Sequence, residues 1–274
     1  MTVDAHPAGA DGFAPDFVRS VLDDALAAGA RVLGVSGLQG SGKSTLAAQV
    51  AAAAQARGLV AVAVSIDDFY LDRPLRERLA REVHALLATR GPPGTHEVDL
   101  ACATLDALRN GQGTRWPGFD KLADRRMADA RRQPAADPDR VLVVFEGWFL
   151  GTPAEEDGAL VEPVNALERD QDRDGRWRRW CNAALARDYP ALWRRIDRLL
   201  FLQPPGFAIV PEWRWQQEQA LQAADPARPA MRRAQVERFV QHYERVSRQA
   251  LRTLPGIADA VLTLDARRRP IQFP

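Results

Sequence analysis

The sequence predicts an α/β domain: a parallel sheet with helices on both faces. Three observations carry that expectation. Apolar runs of strand length recur at 31–36, 59–66, 141–147, 196–205 and 261–266, separated by segments of helical spacing. The first run leads into a glycine-rich stretch, GLQGSGKSTL (37–46), that opens into a helix. Acidic residues close two of the other runs, where open α/β sheets bind their ligands.

Taken in order, residues 1–12 hold no apolar run and are expected to be a flexible N-terminus. A single domain is expected over 13–274. FAPDFVRSVLDDALAAG (13–29) reads as a helix, with Pro15 near its start, Phe17, Val21, Leu22 and Ala25 on one face, and Gly29 at its end. RVLGVS (31–36) is a buried parallel strand. Leu46, Val50 and the alanines through Ala54 mark a helix that stops at Arg57-Gly58. LVAVAVSI (59–66) is a second buried strand, ending at Asp67-Asp68-Phe69-Tyr70. Leu75, Leu79, Val83 and Leu86 outline a helix that runs to Arg90-Gly91, and GPPGTHE (91–97) is a turn. A short helix spans Leu100 to Leu108, and residues 111–126 are irregular. VLVVFEG (141–147) is the third strand, 162–175 a polar surface excursion, and IDRLLFLQPP (196–205) the fourth strand. From Met231 to Leu254, Val236, Phe239, Val240, Tyr243, Val246, Ala250 and Leu254 share one face of a long helix, and VLTLDA (261–266) closes the sheet.

The spacing Gly37-x-x-x-x-Gly42-Lys43-Ser44 is that of a phosphate-binding loop. Glycines at 37, 40 and 42 let the backbone curl until successive N–H groups converge on one anion. The helix that follows points its positive end at the same place. Gln39, Ser41 and Thr45 complete the cradle, Lys43 adds a mobile charge for the outer phosphates, and the Ser44 hydroxyl suits Mg2+. The expected fold is therefore the P-loop NTPase sheet, and the expected nucleotide is ATP, since no Asn-Lys-x-Asp segment for reading guanine occurs.

Composition narrows the rest. Thirty-seven lysines and arginines face 36 acids, so no global charge draws the chain toward nucleic acid or membrane. The local clusters DRRMADARR (124–132) and RWRRW (176–180) read as solvated helix faces. Cys102 and Cys181 are far apart, without metal-ligand spacing, as in a reduced cytoplasmic protein. The N-terminal MTVDAHPAGADG holds no apolar core of signal-peptide length, and no stretch approaches the length of a membrane span.

Phosphoryl transfer needs a metal partner and often a carboxylate to take the proton of the acceptor hydroxyl. Asp67 is placed as the base and Glu146 as the Mg2+ partner, direct or through water. Asp68 is ambiguous, because adjacent strand residues point to opposite faces. Either carboxylate could instead cap a helix.

In order along the chain, SGLQGSGKSTL, IDDFYL, RGPPGTHEVDL, FDK, FEGWFLG and EWRWQQE resemble the D-glycerate 3-kinase family, within the phosphoribulokinase, uridine kinase and pantothenate kinase group. The resemblance implies ATP-dependent phosphorylation of D-glycerate to 3-phosphoglycerate, with Asp67 at the base position and Glu146 at the Mg2+ position. It also implies a mobile helical lid at about 207–235, with Arg214 reaching the phosphates. Of Trp213 and Trp215, at least one is expected to pack on the core. Arg232 and Arg233 could reach the nucleotide after closure. Candidate contacts to the small-molecule acceptor are Asp68, Tyr70, His96, Lys121, Arg125 and Arg126, since a carboxylated substrate calls for cations or hydrogen-bond donors. The segment FDKLADRR is shorter and less glycine-rich than its plant-type counterpart. Two alternatives remain: a related kinase for a nucleoside, pantothenate or sugar acid, and a non-catalytic nucleotide-binding switch.

Overall fold

The structure is a computed structural model that describes residues 12–127, 131–227 and 230–272. The expected flexible segment at 1–12 lies, but for Gly12, outside them.

The first helix, α1 (Pro15–Ala27), buries Val18, Val21, Leu22 and Ala25 and feeds β1 (Val32–Gly37), every residue of which is buried. Then come α2 (Lys43–Ala56), β2 (Val60–Ser65), α3 (Arg73–Glu82) and α4 (Val98–Arg109). Four short strands follow, β3 (Thr114–Trp116), β4 (Phe119–Asp120), β5 (Arg125–Arg126) and β6 (Arg131–Gln133), before β7 (Val141–Gly147). Helices α5 (Ala166–Gln171), α6 (Arg176–Arg187) and α7 (Tyr189–Trp193) lead to β8 (Arg198–Gln203). Helices α8 (Val210–Ala224) and α9 (Arg233–Thr253), then β9 (Ala260–Leu264) and β10 (Pro270–Gln272), complete the chain.

The central sheet has the order β10-β9-β8-β1-β7-β2, with β1 in the middle. All its pairings are parallel except that of β10, a short antiparallel edge strand beside β9. The predicted final strand is therefore not the rim. One apolar cluster, with α1 and α2, covers one face; a second, with α4, α7 and α9, covers the other. The second strand is only half-buried, because β2 lies at the opposite edge.

Several local expectations change. The helix expected to reach Arg90 ends at Glu82 and resumes as a 3-10 turn at Ala85–Ala88, and its buried residue is Arg76 while Leu75 is exposed. Arg76 donates to the carbonyls of Leu71 and Ala88 and pairs with Asp124 at 2.7 Å, so a cation satisfied on every side takes the place of an apolar stripe. The irregular span is a pair of β-ribbons, β3 with β6 and β4 with β5, so the described part of the 124–132 cluster is not a helix face. The 176–180 cluster is a solvated helix face only in part: Arg176 and Arg179 are exposed, but Trp177 and Arg178 are buried, and Arg178 pairs with the buried Asp172 at 2.9 Å. The polar excursion at 162–175 is likewise anchored, since Glu168 is fully buried and binds Arg245 of α9 at 2.7 Å. Helix α9 consequently buries His242, Glu244, Arg245, Ser247 and Gln249 besides its apolar face.

Candidate active site

The glycine-rich loop bridges β1 and α2. Gly40 and Gly42 hold φ of +81° and +90°, conformations that side chains resist. A Cβ on Gly40 would lie 2.7 Å from the Cβ of Trp213, so the loop is seated directly on α8. Trp213 is fully buried and donates its indole N–H to the Ala266 carbonyl at 2.8 Å, which answers the packing expectation for this tryptophan. Trp215 packs partly buried against the core.

Sheet register gathers the carboxylates. Ser65 of β2 pairs with Glu146 of β7, and Glu146 with Val35 of β1, so the three strand ends lie side by side. Asp67 and Asp68 follow in a 3-10 turn (Ile66–Phe69) that is capped by Ser65, whose N–H in turn meets Asp68. The cap itself is thus supplied by a serine.

Asp67 is gripped from two sides: Lys121 Nζ stands 2.7 Å from Oδ2, and Tyr70 donates its hydroxyl to Oδ1 at 2.7 Å. Burial alone would raise its pKa. The charges of Lys121 and Lys43, with the hydrogen bonds from Lys121 and Tyr70, outweigh burial and hold the carboxyl well below the usual range. Asp68 behaves oppositely. Burial, aided by the charges of Glu146 and Asp67, pushes it up to about 6 against the pull of Arg131, whose guanidinium lies 3.3 Å away, and the Ser65 amide.

Glu146 is buried, and its Oε1 accepts the Ser44 hydroxyl at 2.9 Å while Oε2 has no hydrogen-bond partner. Gln39 and Ser41 also leave side-chain polar atoms buried and unpaired within the loop. Orphans on this scale are uncommon unless a ligand meets them. A hard cation beside Ser44 and the free Glu146 oxygen fits that donor set. Among the described residues no three His, Cys, Asp or Glu side chains cluster as a metal site.

The other predicted residues divide. Tyr70 and His96 are buried together, with ring centroids 4.9 Å apart and a backbone bridge between them. Arg126 ties the β4–β5 hairpin down, donating to the Tyr70 carbonyl at 3.0 Å and pairing with Glu97. Arg125 is exposed. Arg214 pairs with the buried Glu218 at 3.2 Å, and Arg233 pairs with Glu212 at 3.0 Å.

Sequence reasoning missed four residues. Arg131 reaches Asp68 from β6, in the cluster that the sequence reads as a solvated helix face. Arg90 lies over the Phe119 ring and donates to the Lys121 carbonyl at 3.1 Å, fixing the hairpin that carries Lys121. Tyr189 contacts His96 at 2.7 Å from a helix 93 residues away. Arg268 donates to the Gly40 carbonyl at 2.6 Å and covers the Trp213 ring, joining the loop to the C-terminal segment. The arginine cluster at 124–132 is a usable signal for Arg131; the others depend on long-range folding.

No family model matches the chain. It is 33% identical over 229 residues to the kinase mug58 of Schizosaccharomyces pombe, covering 77% of this chain and 78% of that one. It is 28% identical over 262 residues to the chloroplastic D-glycerate 3-kinase of Arabidopsis thaliana, covering 88% of this chain but only 54% of the longer plant protein. Among solved structures, the D-glycerate 3-kinase of Cryptococcus neoformans var. grubii superposes with a TM-score of 0.76 at 25% identity, covering 95% of this chain and 97% of that one.

Proposed function

This chain belongs to the D-glycerate 3-kinase family of phosphate-loop kinases, and from that membership we propose that it transfers the γ-phosphoryl group of ATP to the 3-hydroxyl of D-glycerate. The observation that carries the reading is the ionised Asp67, held between Lys121 and Tyr70 beside Lys43 and the glycine-rich loop.

In this reading the loop amides and Lys43 hold the triphosphate and orient its γ-phosphate. Ser44 and Glu146 would hold Mg2+, which would supply positive charge to offset that developing on the phosphates. Asp67 orients the acceptor hydroxyl and takes its proton as the oxygen attacks phosphorus. Lys121 supplies a cation for the acceptor carboxylate, and 59% of its side chain is exposed, so an incoming anion can reach it. Asp68, Tyr70 and Arg126 shape the acceptor side, with Arg125 at its margin. The segment at about 207–235, including Arg214 and Trp215, would close over the nucleotide and exclude water. Two buried, unbonded cysteines accord with a reducing compartment such as the cytoplasm.

The test is an ADP-release screen with Mg-ATP across D-glycerate, uridine, pantothenate and sugar acids. D-Glycerate should give the highest kcat/KM. A higher value for uridine or pantothenate would replace the acceptor, and no stimulation by any of them would favour a nucleotide switch.

A further inference from the structure

His96 leaves a specific chemical question open. Its ring is buried, 6% exposed, and its Nε2 has neither accessible surface nor a hydrogen-bond partner among the described residues. A buried nitrogen without a partner is rare enough to need a reason. Its nature depends on which ring nitrogen carries the proton, and the surrounding hydrogen bonds decide that.

Tyr189 Oη lies 2.7 Å from His96 Nδ1 and accepts the Gly94 backbone N–H at 3.0 Å. A phenol has a single proton to give. If Nδ1 were protonated, Tyr189 would receive two donors while its own proton found no acceptor among the described residues. The arrangement that satisfies every group has Tyr189 donating to a bare Nδ1. Burial pushes the imidazole pKa down to about 4 despite the opposing charge of Asp67, so the ring is neutral near pH 7. A neutral ring with a bare Nδ1 carries its proton on Nε2.

The orphan is therefore an N–H donor. The His96 ring lies beside that of Tyr70, whose hydroxyl grips Asp67, and 5.8 Å from Phe149. The imidazole thus neighbours the tyrosine that holds Asp67, the carboxylate that Lys121 also pairs with.

We propose that Tyr189 locks His96 as the Nε2–H tautomer and that this uncharged donor binds an oxygen of the phosphate acceptor. The inference rests on the kinase reading of the same site. Tyr189 is a positioning residue, acting through His96. The chemistry selects a hydroxyl or carboxylate oxygen and rejects an acceptor that presents an N–H there, which would leave two donors face to face. Because Nε2 is covered, the oxygen reaches it only as a neighbouring side chain gives way.

Histidine 15N labelling tests the lock, with the His96→Gln spectrum assigning the signal among the four histidines. In long-range 1H–15N spectra between about pH 6 and 8, His96 should show a protonated Nε2 and a bare Nδ1. Saturating D-glycerate should shift the Nε2 signal. Tyr189→Phe should mix the tautomers and raise the acceptor KM about tenfold, with kcat changing much less. A protonated Nδ1, or an imidazolium at neutral pH, overturns the lock. An Nε2 signal indifferent to a saturating acceptor that the enzyme turns over overturns the donor role. If Tyr189→Phe does not fold, the wild-type spectra decide alone. Failure of D-glycerate to be phosphorylated would count against the acceptor assignment while leaving the tautomer readout of the free protein intact; the shift is then measured with the acceptor that is turned over.

Discussion

Asp67 concentrates the chemistry into one side chain whose oxygens are both engaged, one by Lys121 and one by Tyr70. A carboxylate so stabilised is a weak base in isolation; in the proposed reaction it would gain basicity once Lys121 turned toward an acceptor carboxylate, and its proposed role is to orient the hydroxyl and receive the proton late in transfer. Asp67→Asn should lower kcat about a hundredfold or more and leave the ATP KM nearly unchanged. A variant that melts earlier but keeps near-normal kcat would reduce Asp67 to a structural group. Glu146→Gln keeps an oxygen for the Ser44 hydroxyl but removes the charge. Half-maximal activity should then need about 10–100-fold more Mg2+; an unchanged Mg2+ titration would remove Glu146 from the metal site.

At the scale of elements, the loop at 91–97 is held by close backbone approaches rather than by regular structure. Gly94 sits at φ +88°, and a Cβ there would lie 2.4 Å from the Trp180 ring. Gly94→Ala should destabilise the protein by about 2 kcal/mol or more, through left-handed strain and overpacking together. The check is a denaturant midpoint at constant m-value. Arg245 binds Glu155 and Glu168, both buried, and so fastens α5 to α9. Arg245→Ala should cost about 3–5 kcal/mol, because it leaves the fully buried Glu168 without its cation, while Glu155 keeps Arg252. The sheet strands and the glycine-rich loop were legible in the sequence because their signals are local: continuous apolar runs, and glycines fixed by spacing. The ribbons at 114–133 were not, for they are three residues long or shorter and are held by Arg90, Arg126 and Arg131 reaching distant partners. Buried cations were illegible for a related reason: Arg76 and Arg245 are buried with partners 48 and 77 residues away, and Arg178, within a run read as a solvated face, is buried against Asp172.

For the whole molecule, burial of titratable groups sets a pH dependence of stability. His96 and His242 are both pushed down to about 4 by burial. Below about pH 6.5 the unfolded chain takes up protons that the folded imidazoles refuse until about pH 4, so stability falls as pH falls through that window. Asp68, raised to about 6, works the other way, since the folded state keeps a proton that the unfolded state releases. Two imidazoles outweigh one carboxyl, and a net loss of about 3 kcal/mol is expected between about pH 7 and 4.5. Urea unfolding at the two values reads it directly, and equal stability would contradict the burial assigned to the histidines. Sheet order gathers the site, for β7 lies between β1 and β2 and so sets Glu146 between the glycine-rich loop and the turn that carries Asp67 and Asp68. What that assembly is for is decided by its product. Incubated with Mg-ATP and D-glycerate, the protein should yield ADP and a single phosphate ester, identified by 31P NMR with proton coupling as 3-phosphoglycerate. A 2-phosphoglycerate signal, or ATP left intact while another acceptor is phosphorylated, would contradict the assignment.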